Sequence, residues 1–431
     1  MSNAIPDGWS YSTLSDVAEI DAESLKTSTD PDFRFKYIDI ASVSTGKIER
    51  PSETIKFSES PSRARRKLKS GDIVMSTVRP NLKAFAYFEC DSGEYVASTG
   101  FSVLRAKNGN SGRFIFNAIL SDGISRQIDA LVVGSNYPAI NSSDVKNLEI
   151  LKPTDKEQQK IAAILTAVDD VIESIRAQIN KLKDLKTGMM QELLTKGIGH
   201  TEFKDSPVGR IPTGWDAFRL KDITIQIRDG NYGADYPTSS EMLDSGVPFL
   251  TSSVVGNDQQ INLAKLKYIS EEKHKQLAKA HIQKDDVLFT NRGANVGNVA
   301  IVPNKLDDAN IGPQLTFLRI DKNVTTSLFL YIALQSDYFK KQLSQFDSGS
   351  AMNFFGIGTT ENFIFAIPTL DEQKKIASSI NSILTKIQLL SVKLYLTQNT
   401  KKALMQDLLT GKVRVKVEES LNSNNREYNH A

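Results

Sequence analysis

The sequence predicts two tandem α/β (α+β) domains, each followed by one long helix, with the two helices packed on each other in a pseudo-twofold arrangement. Three observations carry this. The chain repeats itself in order, each repeat ends in a heptad-patterned segment of constant length, and the rest of each copy reads as short strands between turn residues. A length of 431 residues suits two or three domains. With 40% hydrophobic and 24% charged residues, the composition is that of a globular chain rather than a disordered or fibrous one. Lys and Arg number 53 against 51 Asp and Glu, a net charge of +2, so any nucleic-acid surface must come from local clustering. The single cysteine, Cys90, excludes an internal disulfide and a multi-Cys zinc site.

The repeat is read from five echoes. Pro6-x-Gly8-Trp9 with Leu14-x-Asp16-Val17 returns as Pro212-x-Gly214-Trp215 with Leu220-x-Asp222-Ile223, each pair 206 residues apart. Asp72-Ile-Val-Met-Ser-Thr-Val-Arg79 is echoed by Asp286-Val-Leu-Phe-Thr-Asn-Arg292, and Leu104-Arg105 by Leu318-Arg319. Pro153-Thr154-x-x-Glu157-Gln158-x-x-Ile161-Ala162 returns 215 residues later as Pro368-Thr369-x-x-Glu372-Gln373-x-x-Ile376-Ala377. Met190-Gln191-x-Leu193-Leu194-Thr195 returns as Met405-Gln406-x-Leu408-Leu409-Thr410 at the same offset. The offset drifts early in each half, where loops differ, and is fixed through the last forty-odd residues.

The constant segment predicts a helix. Thr154-x-x-Glu157 and Thr369-x-x-Glu372 are capping boxes after a proline, and Gly197 and Gly411 are stop signals. In the first copy, Ile161, Val168, Ile175 and Leu182 form one heptad column, and Leu165, Ile172 and Ile179 the other. The second copy repeats this with Ile376, Ile383 and Leu390 beside Ile380, Ile387 and Leu394. A lysine interrupts both seams at matching places, Lys186 and Lys401. About 40 residues at 1.5 Å each give a rod of about 60 Å. A lone stripe of this kind can be a core helix. Two copies matched heptad for heptad predict that each buries the other's seam. The expected boundaries are 1–152 for the first domain, 153–197 for its helix, 198–367 for the second domain, 368–412 for its helix, and a tail at 413–431, disordered beyond about Val417.

Within the domains, Arg34–Ile40, Asp72–Val78 and Phe101–Leu104 are strand-like runs bounded by Gly, Pro and Ser. Val247–Leu250, Asp286–Thr290 and Leu315–Ile320 are their counterparts. Helices are expected at Gly112–Leu120 and Ser327–Phe346. The first residues lack a secretory signal, and no segment approaches the roughly 18 apolar residues of a spanning helix, so a soluble cytoplasmic protein without membrane contact is expected.

Catalytic motifs are missing. There is no phosphate-cradling Gly-x-x-x-x-Gly-Lys-Ser/Thr, no Gly-x-Ser-x-Gly, no His-Glu-x-x-His, and no Asn/Asp-Pro-Pro-aromatic tetrapeptide. Gly197-x-Gly199 and Gly356-x-Gly358 begin like a dinucleotide fingerprint, but Glu stands where its third glycine belongs. His274 and His281, seven apart, lack nearby acidic or Cys partners at ligand spacing, so they read as surface residues and no metal site is expected.

Binding features remain. Arg63, Arg65, Arg66, Lys67 and Lys69 put five cations in seven residues, readable as phosphate contacts or as a solvated helix face. The looser run Lys265–Lys279 reads as a wet helix. Polar loops recur at matched places: Arg79-Pro-Asn81 and Arg292-Gly-Ala-Asn295 follow equivalent strands, and Ser135-Asn136-Tyr137 and Ser350-x-x-Asn353 lie near the end of each domain. Arg228, Asn231 and Tyr232 sit on a further Gly-flexed loop. Any one of these can be simple turn structure, but Arg and Asn are the side chains that take guanine and adenine edges bidentately, and their recurrence points to base recognition.

The order of these motifs resembles the specificity subunit of Type I restriction–modification systems. The likeness rests on the two Pro-x-Gly-Trp openings, Gly134-Ser-Asn-Tyr-Pro138, Asp229-Gly230 with Pro237 and Val247-Pro-Phe-Leu250, and the paired Glu-Gln-x-x-Ile-Ala helix starts. Met405-Gln-x-Leu-Leu-Thr-Gly411-Lys-Val-Arg-Val closes it, over about residues 5 to 417. The second helix departs at Ser378-Ser379-Ile380, where the first has Ala163-Ile164-Leu165.

The resemblance implies two target recognition domains reading the halves of a split, asymmetric DNA site. It implies an antiparallel coiled coil that sets the spacer. Two modification subunits would bring S-adenosylmethionine and methylate adenine N6 after flipping the base. Two restriction/translocase subunits using ATP and Mg can join them. This chain would contribute no catalytic residue and bind no cofactor itself. The alternative is a coiled-coil interaction scaffold without DNA contact.

Overall fold

Residues 5–90, 92–132, 138–346 and 354–417 are described by the computed structural model. They divide into two compact units, Met1–Arg176 with Val392–Ala431, and Ala177–Ser391. Each unit takes one globular part, the adjoining portion of one long helix and a portion of the other.

The first globular part is built on β1 (Ser10–Thr13), β2 (Ala18–Ile20), β3 (Arg34–Ile38), β4 (Ile55–Lys56), β5 (Ala64–Leu68), β6 (Ile73–Ser76), β7 (Phe85–Tyr87), β8 (Tyr95–Ser98), β9 (Phe101–Ala106) and β10 (Glu149–Lys152). One sheet has the order β2-β9-β6-β7, all antiparallel, with Phe101 opposite Ser76 and Leu104 opposite Ile73. The other runs β4-β3-β8-β5, with β3 and β8 parallel, and β1 pairs with β10. All four residues of β6 are buried, because its alternating side chains serve two cores. Ile73 and Met75 join the helix-side core, and Val74 joins the core with Phe88, Tyr95 and Phe101. Helices α1 (Gly112–Ile119), α2 (Asp122–Val132) and α3 (Ser142–Asn147) close the helix side before α4 (Asp155–Leu193) leaves.

The second globular part repeats this plan. Its strands are β11 (Asp216–Arg219), β12 (Thr224–Asp229), β13 (Val247–Leu250), β14 (Lys267–Ile269), β15 (Val287–Thr290), β16 (Val299–Ile301), β17 (Asn310–Ile311), β18 (Leu315–Ile320) and β19 (Ile364–Ile367). The main sheet is β12-β18-β15-β16, antiparallel, with Leu318 opposite Val287. The smaller sheet is β14-β13-β17 with β13 and β17 parallel, and β11 pairs with β19. Helices α5 (Glu271–Gln276), α6 (Ser327–Ala333) and α7 (Asp337–Phe346) precede α8 (Leu370–Leu409). Both main sheets carry the same buried pair. Arg105 grips Asp72 through Nε and Nη2, each at 2.8 Å, and Arg319 grips Asp286 at 3.0 and 2.8 Å. Such two-point contact satisfies both oxygens of a buried carboxylate.

The repeated Trp and Glu-Gln motifs fasten each domain to the helix that follows it. Trp9 Nε1 donates to Glu157 at 3.1 Å, and Trp215 Nε1 donates to Glu372 at 3.0 Å. Gln158 donates to the Pro153 carbonyl and accepts from the Ser111 amide; Gln373 does the same with Pro368 and Thr326. The third partner differs. Glu157 takes Arg414 at 2.7–2.8 Å, whereas Glu372 takes His200 Nε2 at 2.9 Å and the Ile198 amide. Burial drives the Glu157 carboxyl upward, but hydrogen bonds from Arg414 and Thr154 outweigh it and hold the group below the usual carboxylate range. The chain reaches each carboxylate through a glycine with positive φ, Gly411 at 71° and Gly197 at 67°. A Cβ at Gly197 would lie 2.6 Å from Glu372 Oε1, and one at Gly411 would strike Pro6.

Ile161, Leu165, Ile172, Ile175, Ile179, Ile376, Ile380, Ile383 and Leu390 are buried, and Val168, Leu182, Ile387 and Leu394 are half-buried. In the first unit, Ile161 and Leu165 share a core with Leu404, Met405 and Leu408. Asp169 meets Lys401 at 2.7 Å, while Glu157 meets Arg414. Moving back along α4 therefore means moving forward along the other chain segment, so the two are antiparallel there. In the second unit, Met190 and Leu193 pack with Ile376 and Ile380. The lysine breaks end differently: Lys401 has its Asp169, and Lys186 has only the amide oxygen of Gln335 at 3.2 Å among its described partners.

Several expectations are corrected. Residues 327–346 form two helices, because Ser336 Oγ accepts from the Phe339 amide and starts a new one. The first copy has an unforeseen counterpart, α2, after Ser121. The run 265–279 is not a continuous wet helix; β14 pairs with β13, and Ser270 caps the short α5. The five-cation run is a strand, not a helix face. The tail beyond Val417 lies outside the described residues. No described helix is long and apolar enough to cross a membrane.

Candidate nucleic-acid interface

Among the described residues, the polar loops that follow β6 in the first unit and β12 and β15 in the second lie at one end of their main sheets. In the first unit the chain leaves β6 through Thr77 and Val78. Val78 bridges Ala139, and the Arg79 amide donates to the Pro138 carbonyl at 2.8 Å. Arg79 is left-handed, with φ of 49°, and is exposed together with Asn81 and Leu82. In the second unit the chain leaves β15 the same way. Arg292 bridges Phe354, and the Phe355 amide donates to the Asn291 carbonyl at 2.9 Å. Thus the loop after the central strand is tied in both copies to the segment following the helix pair. Ser135, Asn136, Tyr137, Ser350 and Asn353, on those same segments, lie outside the described residues.

The second unit adds a cation–aromatic cluster. The Arg292 guanidinium lies 4.0 Å from the Phe354 ring centre and 5.7 Å from that of Tyr232. Tyr232 donates to Asp229 at 2.7 Å, and Lys279 both pairs with Asp229 at 2.5 Å and sits 5.5 Å from the Tyr232 ring. Burial first, then the hydrogen bond to Asp229, pushes the Tyr232 phenol up to about 12, so it remains a donor. A Cβ at Gly230 would collide with the carbonyls of Ile311 and Gly312, which explains the glycine in this loop. Arg228 is the exposed penultimate residue of β12 rather than a loop residue. Asn295 donates to the Ser252 carbonyl at 3.4 Å. Among the described residues, five buried side-chain polar atoms lack a hydrogen-bond partner. Three of them, Asn231 Oδ1, Thr290 Oγ1 and Asn291 Oδ1, belong to these two loops and the end of β15. Such atoms call for a ligand or water.

The cation run of the first unit is otherwise engaged. Arg66 pairs with Asp21 at 3.0 Å, Lys67 lies 3.9 Å from Glu94, and Lys69 pairs with Glu23. Arg65 donates to the Ala64 carbonyl and lies over Phe57; Arg63 is exposed. The acids come from 27 to 46 positions away, so nearby sequence did not show them. Lys279 and Phe354 were missed in turn: one stood in a run read as solvated, the other beside a loop judged by its Asn.

His274 and His281 do not share an exposed helical face. His274 is 6% exposed, its ring stacks on His281 at 4.0 Å, and both face Asp308. The acidic partner stands 27 residues on, beyond the reach of spacing rules.

Two globular parts of one topology, each latched to a long helix and each gathering polar loops at one sheet end, define a duplicated recognition protein. The chain belongs to the family of the Type I restriction modification DNA specificity domain, whose model matches twice, over residues 6–184 and 212–395. It thus has the role of a Type I specificity subunit. It is 27% identical over 430 residues to the putative type I restriction enzyme MjaX specificity subunit of Methanocaldococcus jannaschii, covering 96% of this chain and 95% of that one. It is 31% identical over 291 residues to the MjaVIII specificity subunit of the same organism, 66% of each chain. Among solved structures, a chain of a type I R-M system described for its complex assembly and conformational transition aligns at 25% identity with a TM-score of 0.55, covering 95% of this chain and 100% of that one. The S subunit from M. genitalium, at 16% identity and a TM-score of 0.61 over 95% of this chain and 98% of that one, shares the fold.

Proposed function

We propose that this chain reads a bipartite, asymmetric site on double-stranded DNA, one half with each globular part, and carries no catalytic residue of its own. The observation that bears most weight is the matched convergence of loops: Arg79 beside Pro138–Ala139 in one unit and Arg292 beside Phe354 in the other. The exposed Arg79 and Asn81 and the half-buried Arg292 and Asn295, at the end of a rigid sheet, suit base edges, and the Arg292–Phe354–Tyr232–Lys279 cluster supplies cations for phosphate and aromatic surface for a base. Helices α4 and α8 act as a ruler for the spacer. They also scaffold two adenine-N6 methyltransferase subunits, which bring S-adenosylmethionine. Exposed Val392, Tyr395 and Leu396 offer apolar surface for such a partner. Where restriction subunits join, ATP and Mg act in them. The complex works in the cytoplasm.

The test is single-molecule mapping of methylated adenines in cells expressing this chain with its methyltransferase. A split motif with a fixed spacer is expected. Arg292→Ala should relax one half and Arg79→Ala the other, each costing about 1–3 kcal/mol of discrimination. Inserting four residues at Thr187 should change the spacer and leave both half-sites intact. A contiguous motif, or half-sites altered by that insertion, would overturn the reading.

A further inference from the structure

The loop cluster of the second unit restrains one of its cations more closely than contact with phosphate needs. Phe355 is buried in the helix-side core, its ring 6.2 Å from that of Phe289 and 5.8 Å from that of Phe363. Its neighbour Phe354 is turned the other way, and 46% of it is exposed. The bridge between Phe354 and Arg292 sets these two residues side by side, with the guanidinium carbon 4.0 Å from the ring centre. Tyr232 supplies a second ring, 5.7 Å from that carbon. It is itself fixed, since its hydroxyl donates to Asp229 at 2.7 Å and lies 3.2 Å from the Pro313 carbonyl oxygen.

Of the two cations in the cluster, Lys279 is neutralised by Asp229 at 2.5 Å. Arg292 is not. Among the described residues no carboxylate, carbonyl or hydroxyl meets its guanidinium, whose partners are the two rings. Such contacts restrain the planar group and leave its N–H donors for something else. A restrained planar fork suits two acceptors lying side by side, which a phosphate offers and so does the O6 and N7 edge of guanine. Two features favour the base. Asp235, in the loop of Tyr232, is exposed, and among the described residues its partner is the neutral Asn231 amide at 3.5 Å. The loop therefore presents a carboxylate without a cation, which repels a phosphate but accepts from cytosine N4, the donor opposite guanine. Moreover, a phosphate is served by any nearby positive charge, whereas a fixed orientation matters where one base edge must be told from another.

We infer that Arg292 reads a guanine in the half-site of the second unit, and that Phe354 and Tyr232 are positioning residues that hold its guanidinium for O6 and N7. The inference rests on the reading proposed above, in which this unit contacts base edges. It assigns a use to Phe354, a large apolar side chain left in solvent at the end of the sheet: the ring fixes the fork before DNA arrives, so less freedom is lost on binding.

The experiment uses the full chain with its methyltransferase. The methylation motif is mapped first, and the complex is then tested by competition gel shift on duplexes in which each G·C pair of the motif is changed in turn to A·T. The parent complex should discriminate against one such change by about 5- to 150-fold, and Arg292→Ala should bring the ratio at that position, and in that half alone, close to one. Phe354→Leu, which keeps apolar bulk and removes the ring, should lower the same ratio about two- to fivefold, and Phe354→Tyr should retain it. Both variants change an exposed side chain, so their unfolding temperatures should match that of the parent. A motif without a G·C pair, discrimination kept at every position in Arg292→Ala, or a loss spread evenly over all sequences with a shallower salt dependence, the mark of a phosphate contact, would each overturn the inference and leave the split-site reading standing. An unchanged ratio in Phe354→Leu would overturn the positioning role. A contiguous motif would instead overturn the reading on which the inference rests.

Discussion

The two units share a skeleton and differ at its attachments. Arg105 and Arg319 grip equivalent buried aspartates, and Trp9 and Trp215 reach equivalent glutamates. Yet the same latch is closed by Arg414 in one unit and by His200 in the other. The sheet edge that is acidic in the first unit, at Asp21 and Glu23, becomes Arg228-Asp229-Gly230-Asn231 in the second. The difference teaches that duplication kept what joins domain to helix and released what faces outward. In the first unit the edge acids take Arg66 of β5 and Lys69 just after it; in the second the buried Asp229 gathers Tyr232 and Lys279 at the loop cluster.

The largest expected effect tests the shared skeleton. Arg105→Met leaves both Asp72 and Glu23 without their guanidinium, and should destabilise the first unit by about 4 kcal/mol. Arg319→Met strands only Asp286, because its other partners are the neutral Gln226 and a carbonyl, and should cost about 3 kcal/mol. Hydrogen exchange at α1 and α6, with urea unfolding, would read the two separately. Equal losses would mean that Glu23 contributes nothing.

The latch comes next. Glu157→Gln removes the carboxylate from a guanidinium and should cost about 3 kcal/mol, whereas Glu372→Gln faces an imidazole and should cost about 1 kcal/mol. Arg66→Ala should lower stability of the first unit by about 1 kcal/mol, since Asp21 loses its ion pair but keeps the hydrogen bonds from Ser142 Oγ and the Val103 amide. It should change DNA affinity, measured by salt-dependent gel shift, far less than Arg292→Ala does.

Acid tests the Glu157 latch. Because the Glu157 carboxyl is lowered in the folded chain, it stabilises above its unfolded value near 4.5, and that contribution is lost as pH falls through the lower folded value. Unfolding midpoints measured from pH 6 to pH 3 should show this dependence in the parent chain and a weaker one in Glu157→Gln. The smallest effect concerns the seam. Burial lowers the Lys186 ammonium, so its charged form is disfavoured in the folded state, a penalty present below that folded value and relieved as pH rises through it. Lys186→Met should raise stability by about 1 kcal/mol, while Lys401→Met, which frees Asp169, should lower it.

Much of this architecture was legible in the sequence because it is periodic. Heptads, capping boxes and the fixed 215-residue offset each express local geometry, so α4 and α8 could be read from spacing alone. The Trp and Glu-Gln motifs were legible as motifs but not as a latch, since their contacts span 148 and 157 residues. The candidate interface was legible where it repeats, at Arg79 and Arg292. It was illegible where partners are remote: the acids that engage Arg66 and Lys69, the ring of Phe354, and the Asp308 that turns two scattered histidines into a cluster. Chain distance hides charge pairing, which tertiary packing alone brings about.

One consequence concerns synthesis. The core around Trp9, Ile161 and Leu165 is completed by Leu408 and Leu409, and its buried carboxylate by Arg414. A ribosome elongating at about 5–20 residues per second needs roughly 12–48 s after residue 176 to deliver those residues. Throughout that interval the nascent amino-terminal half must wait with its seam uncovered, which makes it the natural client of a chaperone.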